Sequence, residues 1–419
     1  MSNALTTEAV APIMKVERLK KPFYTNGGER MKVYMKLGQH VGAPCSPVIE
    51  VDERVERGQL IAKPTGLGAN LHASVAGAVV EITDEAIVIA MDEEQTSEYV
   101  HIPETNSYLE AIELAGIVGA GGAGFPTHVK YKEKINGGYV IANAVECEPL
   151  LGHNVQLMEE KPELIVRGLK YLLEISGAKK AYIAIKSKYR EAVLALVQAC
   201  KGEPDIEIKI VSDLYPAGDE RVIVRELLGV ELQPGELPSV ANAVVSNAET
   251  IKRIVEAIEE RKPYIDKDIT VAGRVKEAKI FEDQPIGMPV GHYIEQCGGY
   301  IHPHGEVVIG GPFTGKAGTS NTPLTKTTGG ILVAMPFPQE NGRKIGLLVC
   351  ECGAGEGRLR EIAQGMGSEI VSVKKCKRMV EIDGRYRCDL PGVCPGQSET
   401  ILEMKKAGME TVLMSSCQP

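Results

Sequence analysis

The chain has 419 residues, 43% of them hydrophobic and 25% charged, enough for roughly two to four compact units. Its net charge of −9 argues against nucleic acid as a partner, which would require a basic stripe. No run of about eighteen apolar residues occurs and the N-terminus, MSNALTTEAVAPIMKVERLKK, lacks a signal-peptide core, so the expected location is the cytoplasm, at most peripheral to a membrane complex, without direct insertion.

Residues 1–30 show weak periodicity and the turn-like Asn26-Gly27-Gly28, and are expected to be a flexible lead-in. Over residues 31–105 short Val/Ile runs (Pro47–Val51, Gln59–Ala62, Gly77–Ile82, Ala86–Ala90) alternate with Gly, Pro and Asp, the pattern of a small all-β unit. Residues 108–262 alternate apolar strands (Tyr139–Ala142, Ala181–Lys186) with segments of helical spacing (Lys161–Ile175, Tyr189–Ala199, Glu220–Leu228), which predicts an α/β layered unit. Short strands return over 265–336 (Ile269–Ala272, Gly305–Ile309, Ile331–Val333) around one helix, Val290–Gln296. Residues 341–419 form a separate unit by composition. They hold 12 Lys/Arg against 10 Asp/Glu, and Lys344–Cys350, Glu369–Val373 and Thr411–Met414 read as strands of a small Cys-rich α/β fold.

Gly116-Ile-Val-Gly119-Ala-Gly121-Gly122-Ala-Gly124-Phe-Pro opens the second unit. Such glycine content is costly unless a ligand must lie against bare main chain, where a Cβ would hold it off and the N–H groups can bind phosphate. No Gly-Lys-Ser/Thr follows, so the loop does not fit a P-loop, and a dinucleotide fingerprint, set between a strand and a helix with an acid about twenty residues further on, does not fit it well either. A flexible surface loop is the alternative. The His302-Pro-His304 pair has no third ligand close by and reads as a strand edge.

Six of the ten cysteines (Cys350, Cys352, Cys376, Cys388, Cys394, Cys417) lie in the tail, where a reducing compartment favours metal binding or redox work over structural disulfides. Cys376 sits inside Lys374-Lys-Cys-Lys-Arg378, and four neighbouring cations are expected to favour its thiolate. Two uses compete: an iron–sulfur cluster held by four of the six, or a dithiol relay in which Cys376 and Cys417 are the reactive thiols. Buried, inert cysteines are the third possibility. The end, Met414-Ser-Ser-Cys-Gln-Pro419, stops one residue short of a Cys-x-x-Cys, which suggests a UGA read through as selenocysteine.

Several segments resemble known families. Val55–Ala62 and His72–Ile82 are similar to a lipoyl-type barrel-sandwich, but the hairpin Gly66–Ser74 has no lysine, so docking rather than a swinging arm is implied. Gly121-Gly122-Ala123-Gly124-Phe125-Pro126-Thr127-x-x-Lys130 resembles the flavin-binding loop of the complex I flavoprotein subunit and of RnfC, the corresponding Rnf subunit. Asn143-Ala-Val-Glu146-Cys147-Glu148-Pro149, Gly218-Asp219-Glu220 and Asn247-Ala-Glu249-Thr250 match the later segments of both families in order, with Val145 in place of an acid of the complex I family. The domain order also resembles RnfC: a barrel-sandwich hybrid, an FMN-binding α/β domain, then an SLBB β-grasp. RnfC's two Cys-x-x-Cys-x-x-Cys-x-x-x-Cys-Pro runs are absent, which points to soluble relatives of the PrdC type, electron carriers associated with proline reductase in anaerobic amino-acid fermentation. The tail vaguely resembles the small iron–sulfur subunit of methyl-viologen-reducing hydrogenases.

The resemblance implies FMN, a nicotinamide donor (NADH) and a partner reductase, and it implies roles. Gly119, Gly121, Gly122 and Gly124 would line FMN through their N–H groups, and Lys130 would face its phosphate or ring edge. Asn143 and Asn247 would bond the ring or ribityl chain, and Glu146, Gly218 and Glu220 would border the nicotinamide. Plainer roles compete: Asn143 as a turn residue, Glu146 and Glu148 as a solvated pair, Asn247 as a helix N-cap.

Overall fold

Alternating side chains of Lys32–Lys36 point to opposite faces, burying Val33 and Met35 and exposing Lys32. This strand joins Ala86–Met91, Gly77–Ile82 and Arg54–Val55 in an antiparallel sheet, in that order. Cys45–Pro47, Leu60–Pro64 and Leu71–His72 form a second sheet. Val55, Ile61, Val79, Ile87 and Ile89 of both are fully buried. The computed structural model describes residues 15–17, 30–122 and 124–415. The strand expected at Pro47–Val51 lies instead at Cys45–Pro47: Val48 and Val51 face solvent, and Asp52 turns the chain with φ +69°. The lysine-free hairpin docks elsewhere in the chain. Ser74 Oγ donates to Ile286 O at 2.5 Å, and the buried Lys326 Nζ donates to Asn70 O and Gly116 O, both at 2.7 Å.

The second unit is a parallel sheet in the order Ile206–Val211, Lys180–Lys186, Tyr139–Asn143, Ala243–Asn247. Tyr139–Asn143 comes first in the chain yet lies inside, so the strand order reverses beside it, and the crevice at the strands' carboxyl ends is the favoured ligand position of such sheets. Asn143 and Asn247 are register partners at those ends. The helices begin and end for local reasons. Pro162–Ser176 has proline at its first position and stops at Gly177 in the left-handed conformation, and its buried Ile165, Val166, Leu169, Leu172 and Ile175 fall at helical spacing. Asp219 caps Glu220–Leu228 and Asn247 caps Ala248–Glu259.

The third sheet has six strands: Lys15–Glu17, Lys279–Pro285, Asp266–Gly273, Gly330–Val333, Val307–Ile309 and Lys316–Gly318. Part of the lead-in expected to be flexible is thus paired, Lys15–Glu17 running parallel to Lys279–Phe281; the rest of residues 1–29 lies outside the described residues. A buried ion network that the sequence did not announce fastens this sheet to helix Ala248–Glu259. Lys252 binds Asp268 (2.7 Å) and Asp283 (2.8 Å), Arg253 binds Glu249 (3.1 Å) and Asp268 (2.9 Å), and Lys267 binds Glu249. Its members come from a helix and two strands, so each charge pattern reads locally as a solvated face.

The tail is a parallel sheet of Glu369–Lys375, Lys344–Val349 and Thr411–Met414, with helices Glu356–Gly365 and Ser398–Lys406 and a hairpin, Met379–Ile382 with Arg385–Cys388.

Candidate functional site

The glycine loop is a closed hairpin. Val118 and Pro126 form a β-bridge, the Gly119 N–H donates to Phe125 O (3.0 Å), and the Gly124 N–H donates to Gly119 O (3.3 Å). The expectation that all four glycine N–H groups face a ligand is therefore corrected: those of Gly119 and Gly124 close the hairpin, while those of Gly121 and Gly122 have no partner among the described residues. One glycine is required by geometry and a second is tightly packed. A Cβ on Gly116 (φ +69°) would lie 2.2 Å from Asn70 O, and one on Gly121 would lie 3.1 Å from Asn247 Nδ2. The Ala120 N–H donates to the buried Thr250 Oγ1 (2.9 Å), holding the hairpin over the first turn of helix Ala248–Glu259.

Beneath it lie two adjoining cavities. One, of about 430 Å³, is lined by Gly119, Gly121, Phe125, Lys130, Asn143 and Glu220 among others; the other, of about 330 Å³, contains Gly122, Glu146, Cys147 and Cys352. Both touch Gly121, Asn143, Gly218, Asn247 and Glu351. All ten residues expected to bind the cofactor line one or the other except Gly124, which faces away toward Thr327 and His40.

Their side chains are partly committed. Lys130 pairs with Glu220 at 3.4 Å, so the two meet at one wall and Lys130 has less charge to offer a phosphate. Asn143 Nδ2 donates to Gly218 O (2.9 Å) and its Oδ1 accepts from the Val145 N–H (3.1 Å), the turn role. Asn247 Oδ1 accepts from the Glu249 N–H (2.9 Å), the cap role, which leaves its Nδ2 beside Gly121. Glu146 accepts from Asn154 Nδ2 and the Glu148 N–H, both at 3.2 Å, and burial raises its carboxyl to about 7. Glu148 is not a solvated partner: its carboxylate accepts from the Phe313 (2.8 Å) and Thr314 (3.0 Å) N–H groups. Cavities of this volume, walled by main chain and by convergent polar groups, suit a phosphorylated planar ligand such as FMN.

The tail supplies the facing wall. Glu351 binds Arg221 (3.1 Å) and Arg387 (2.8 Å) and accepts from the Cys388 N–H, Arg221 Nη1 donates to Cys388 O (2.9 Å), and Tyr215 OH donates to Cys352 O. Cys350 and Cys352 interact through their thiols, as do Cys352 with Cys388 and Cys350 with Cys376, and Cys394 is exposed beside them. Five of the six tail cysteines are thus brought together, although among the described residues no three His, Cys, Asp or Glu side chains take up the arrangement of a metal ion's ligands; Cys417 lies outside those residues.

The expectation for Cys376 is reversed. A hydrogen bond with Cys350 and burial hold its thiol above the ordinary value, because the flanking cations point elsewhere: Lys374 to Glu403 (3.0 Å), Lys377 to Glu399, Arg378 to Asp389 (3.4 Å) and Lys375 over the Tyr386 ring. The thiol held low is that of Cys388, through the hydrogen bond from Cys352. Arg221, Glu351 and Arg387 escape a reading of the sequence, since each acts through a partner far along the chain. Cys147, whose Sγ accepts from the Gly218 N–H at 2.8 Å, sits within a matched segment and could have been found there.

Comparison with known proteins agrees with this geometry. The profile of the Nuo51 FMN-binding domain matches residues 112–256, and that of the RnfC barrel sandwich hybrid domain matches residues 25–103. The chain is 33% identical over 344 residues to the C subunit of the proton-translocating ferredoxin:NAD(+) oxidoreductase complex of Clostridium ljungdahlii, covering 76% of this chain and 74% of that protein. It is 32% identical over 323 residues to the C subunit of the Na(+)-translocating ferredoxin:NAD(+) oxidoreductase complex of Acetobacterium woodii, covering 72% of each. Over 226 residues it is 39% identical to the cobalamin reductase PduS of Salmonella typhimurium, covering 54% of this chain and 49% of that one. Among the described residues no helix is long and apolar enough to cross a membrane.

Proposed function

The chain belongs to the family of RnfC-like subunits of ferredoxin:NAD(+) oxidoreductase complexes, and from this we propose that it is a flavin-containing electron-transfer protein taking electrons from NADH and passing them through a Cys-rich centre to a partner reductase. FMN held by the cavity residues would supply hydride-accepting chemistry toward NADH and onward transfer of electrons in pairs or singly. Gly121 and Gly122 would offer main-chain N–H groups to it, Asn247 its free amide hydrogens, and the Lys130–Glu220 pair a fixed polar edge. Glu146, raised by burial, can hold a proton near neutral pH on the side where Cys147 and Cys352 lie.

The observation that carries this reading is that Cys352 lines the same cavity as the glycine loop. A Cys352–Cys388 disulfide would take two electrons, those of one hydride, and two protons to become two thiols, and the lowered Cys388 thiol is then the attacking partner toward an acceptor disulfide. The residues 265–336 we assign to an SLBB-type β-grasp and 341–419 to the redox domain. The acceptor we assign is a reductase of the proline-reductase type, which the resemblance of the domain order to PrdC-type carriers supports. The extent of the match to the Clostridium ljungdahlii protein favours a second reading, a subunit of a membrane electron-transport complex.

The test is anaerobic reconstitution of the full chain with FMN. NADH should bleach the flavin band. Cys352→Ser should keep the bleaching and lose reduction of an added disulfide by about tenfold or more, about 1.4 kcal/mol in barrier. Iron–sulfur absorbance would identify a cluster in place of the dithiol, and co-purification with integral membrane subunits would favour the second reading. A chain that stays colourless after reconstitution overturns both.

A further inference from the structure

A third cavity, of about 500 Å³, lies between the barrel-sandwich segment 36–41, the hairpin 307–318 and the threonine-rich segment 322–328. It meets the second cavity at Gly122, Gly310, Thr314 and Thr327. In a protein of net charge −9 its wall carries Lys36 and Lys316 and no Asp or Glu. Neither lysine has a carboxylate partner among the described residues, whereas the buried Lys252, Lys262 and Lys267 are all paired.

Gln39 is the second, independent sign. It lines this cavity and is 5% exposed. Its Oε1 accepts from the Lys326 N–H at 2.9 Å, which fixes the orientation of the amide, and its Nε2 is buried with no hydrogen-bond partner. A buried donor left unmade costs free energy that a ligand acceptor would recover. Thr325, Thr327 and Thr328 bond one another, so their hydroxyls can turn toward an oxyanion without leaving a group orphaned.

We propose that this cavity binds the diphosphate group of a nucleotide, at a site separate from the flavin cavity. Two cations from different strands, with neutral donors between them, suit two linked phosphates better than one small anion, and the volume leaves room for the nucleoside. Because the cavity opens at Gly122 onto the one containing Glu146 and Cys147, the diphosphate can belong either to the nicotinamide donor reaching through or to a second nucleotide. The inference does not depend on the flavin reading.

The test is calorimetric titration of the full chain with sodium pyrophosphate. Saturable binding is expected, weakened about tenfold or more in the double variant Lys36→Ala/Lys316→Ala and falling with added salt. Gln39→Glu keeps the acceptor for the Lys326 N–H but places a negative charge against the anion, and should weaken binding similarly. Should that buried variant fail to fold, the lysine variant, which alters two residues that are not buried, carries the test, with thermal melting as its control. Displacement of pyrophosphate by NADH assigns the site to the donor; displacement by ADP but not by NADH assigns it to a second nucleotide; both support the proposal. Absence of saturable binding, equal affinity in all variants, or displacement by FMN overturns it.

Discussion

The two walls of the central cavity are built in opposite ways. On one side a main chain stripped of side chains approaches closely, and its shape is set within ten residues of sequence. On the other, Glu351 and the main chain of Cys352 and Cys388 meet Arg221 and Tyr215 across more than a hundred residues of chain. The first wall is closed by its own main-chain hydrogen bonds and packed at its base, where a Cβ on Gly116 would meet Asn70 O; the second is held by charge and hydrogen bonds between distant residues.

Substitutions should separate the two. Gly116→Ala should have the largest effect, because the new Cβ meets Asn70 O and the residue keeps a positive φ: a loss of about 3 kcal/mol in chemical denaturation, from overpacking and left-handed strain together. A loss under about 1 kcal/mol would mean that the base of the hairpin adapts where it packs against Asn70. On the facing side, Glu351→Ala leaves the Cys388 N–H and Arg387 unpartnered and should cost about 2 kcal/mol. Hydrogen exchange should show that loss confined to the tail and residues 215–221, with protection of the four-stranded parallel sheet unchanged.

The smallest effect belongs where the walls meet. Glu146 has a folded value of about 7 against an ordinary 4.5, so the native state holds its proton more tightly than the unfolded chain. Stability from this group is therefore highest at low pH, falls as pH rises from about 4.5 to about 7, and is level above. Glu146→Gln should flatten that slope and gain about 1–2 kcal/mol at pH 8, read from melting temperatures between pH 5 and 8 without ligand. A slope identical in both proteins would place the burial elsewhere.

The legibility of the sequence follows the same division. Glu220–Leu228, Val290–Gln296 and Thr411–Met414 stand where spacing places them, and the glycine loop is legible because its geometry is written in consecutive residues. Cys376 misleads because adjacency in sequence is not adjacency of charge: its lysines pair with Glu399 and Glu403 on a helix beyond. The same blindness hides the ion network around Arg253. A local pattern reports which face a residue occupies, not which distant partner satisfies it. Asn143 and Asn247 lie between these cases: correctly singled out, yet each fills the turn or cap role and, in addition, stands at the crevice.

Register pairing of Tyr139–Asn143 with Ala243–Asn247 bears on synthesis. The ribosome delivers the first of these strands about a hundred residues before the second, and parallel pairing across such a separation is intrinsically slow. A nascent chain halted before position 243 would have its glycine hairpin but no floor beneath it. Cofactor capture should therefore serve as a late checkpoint of maturation, reporting that the final crossover has been made.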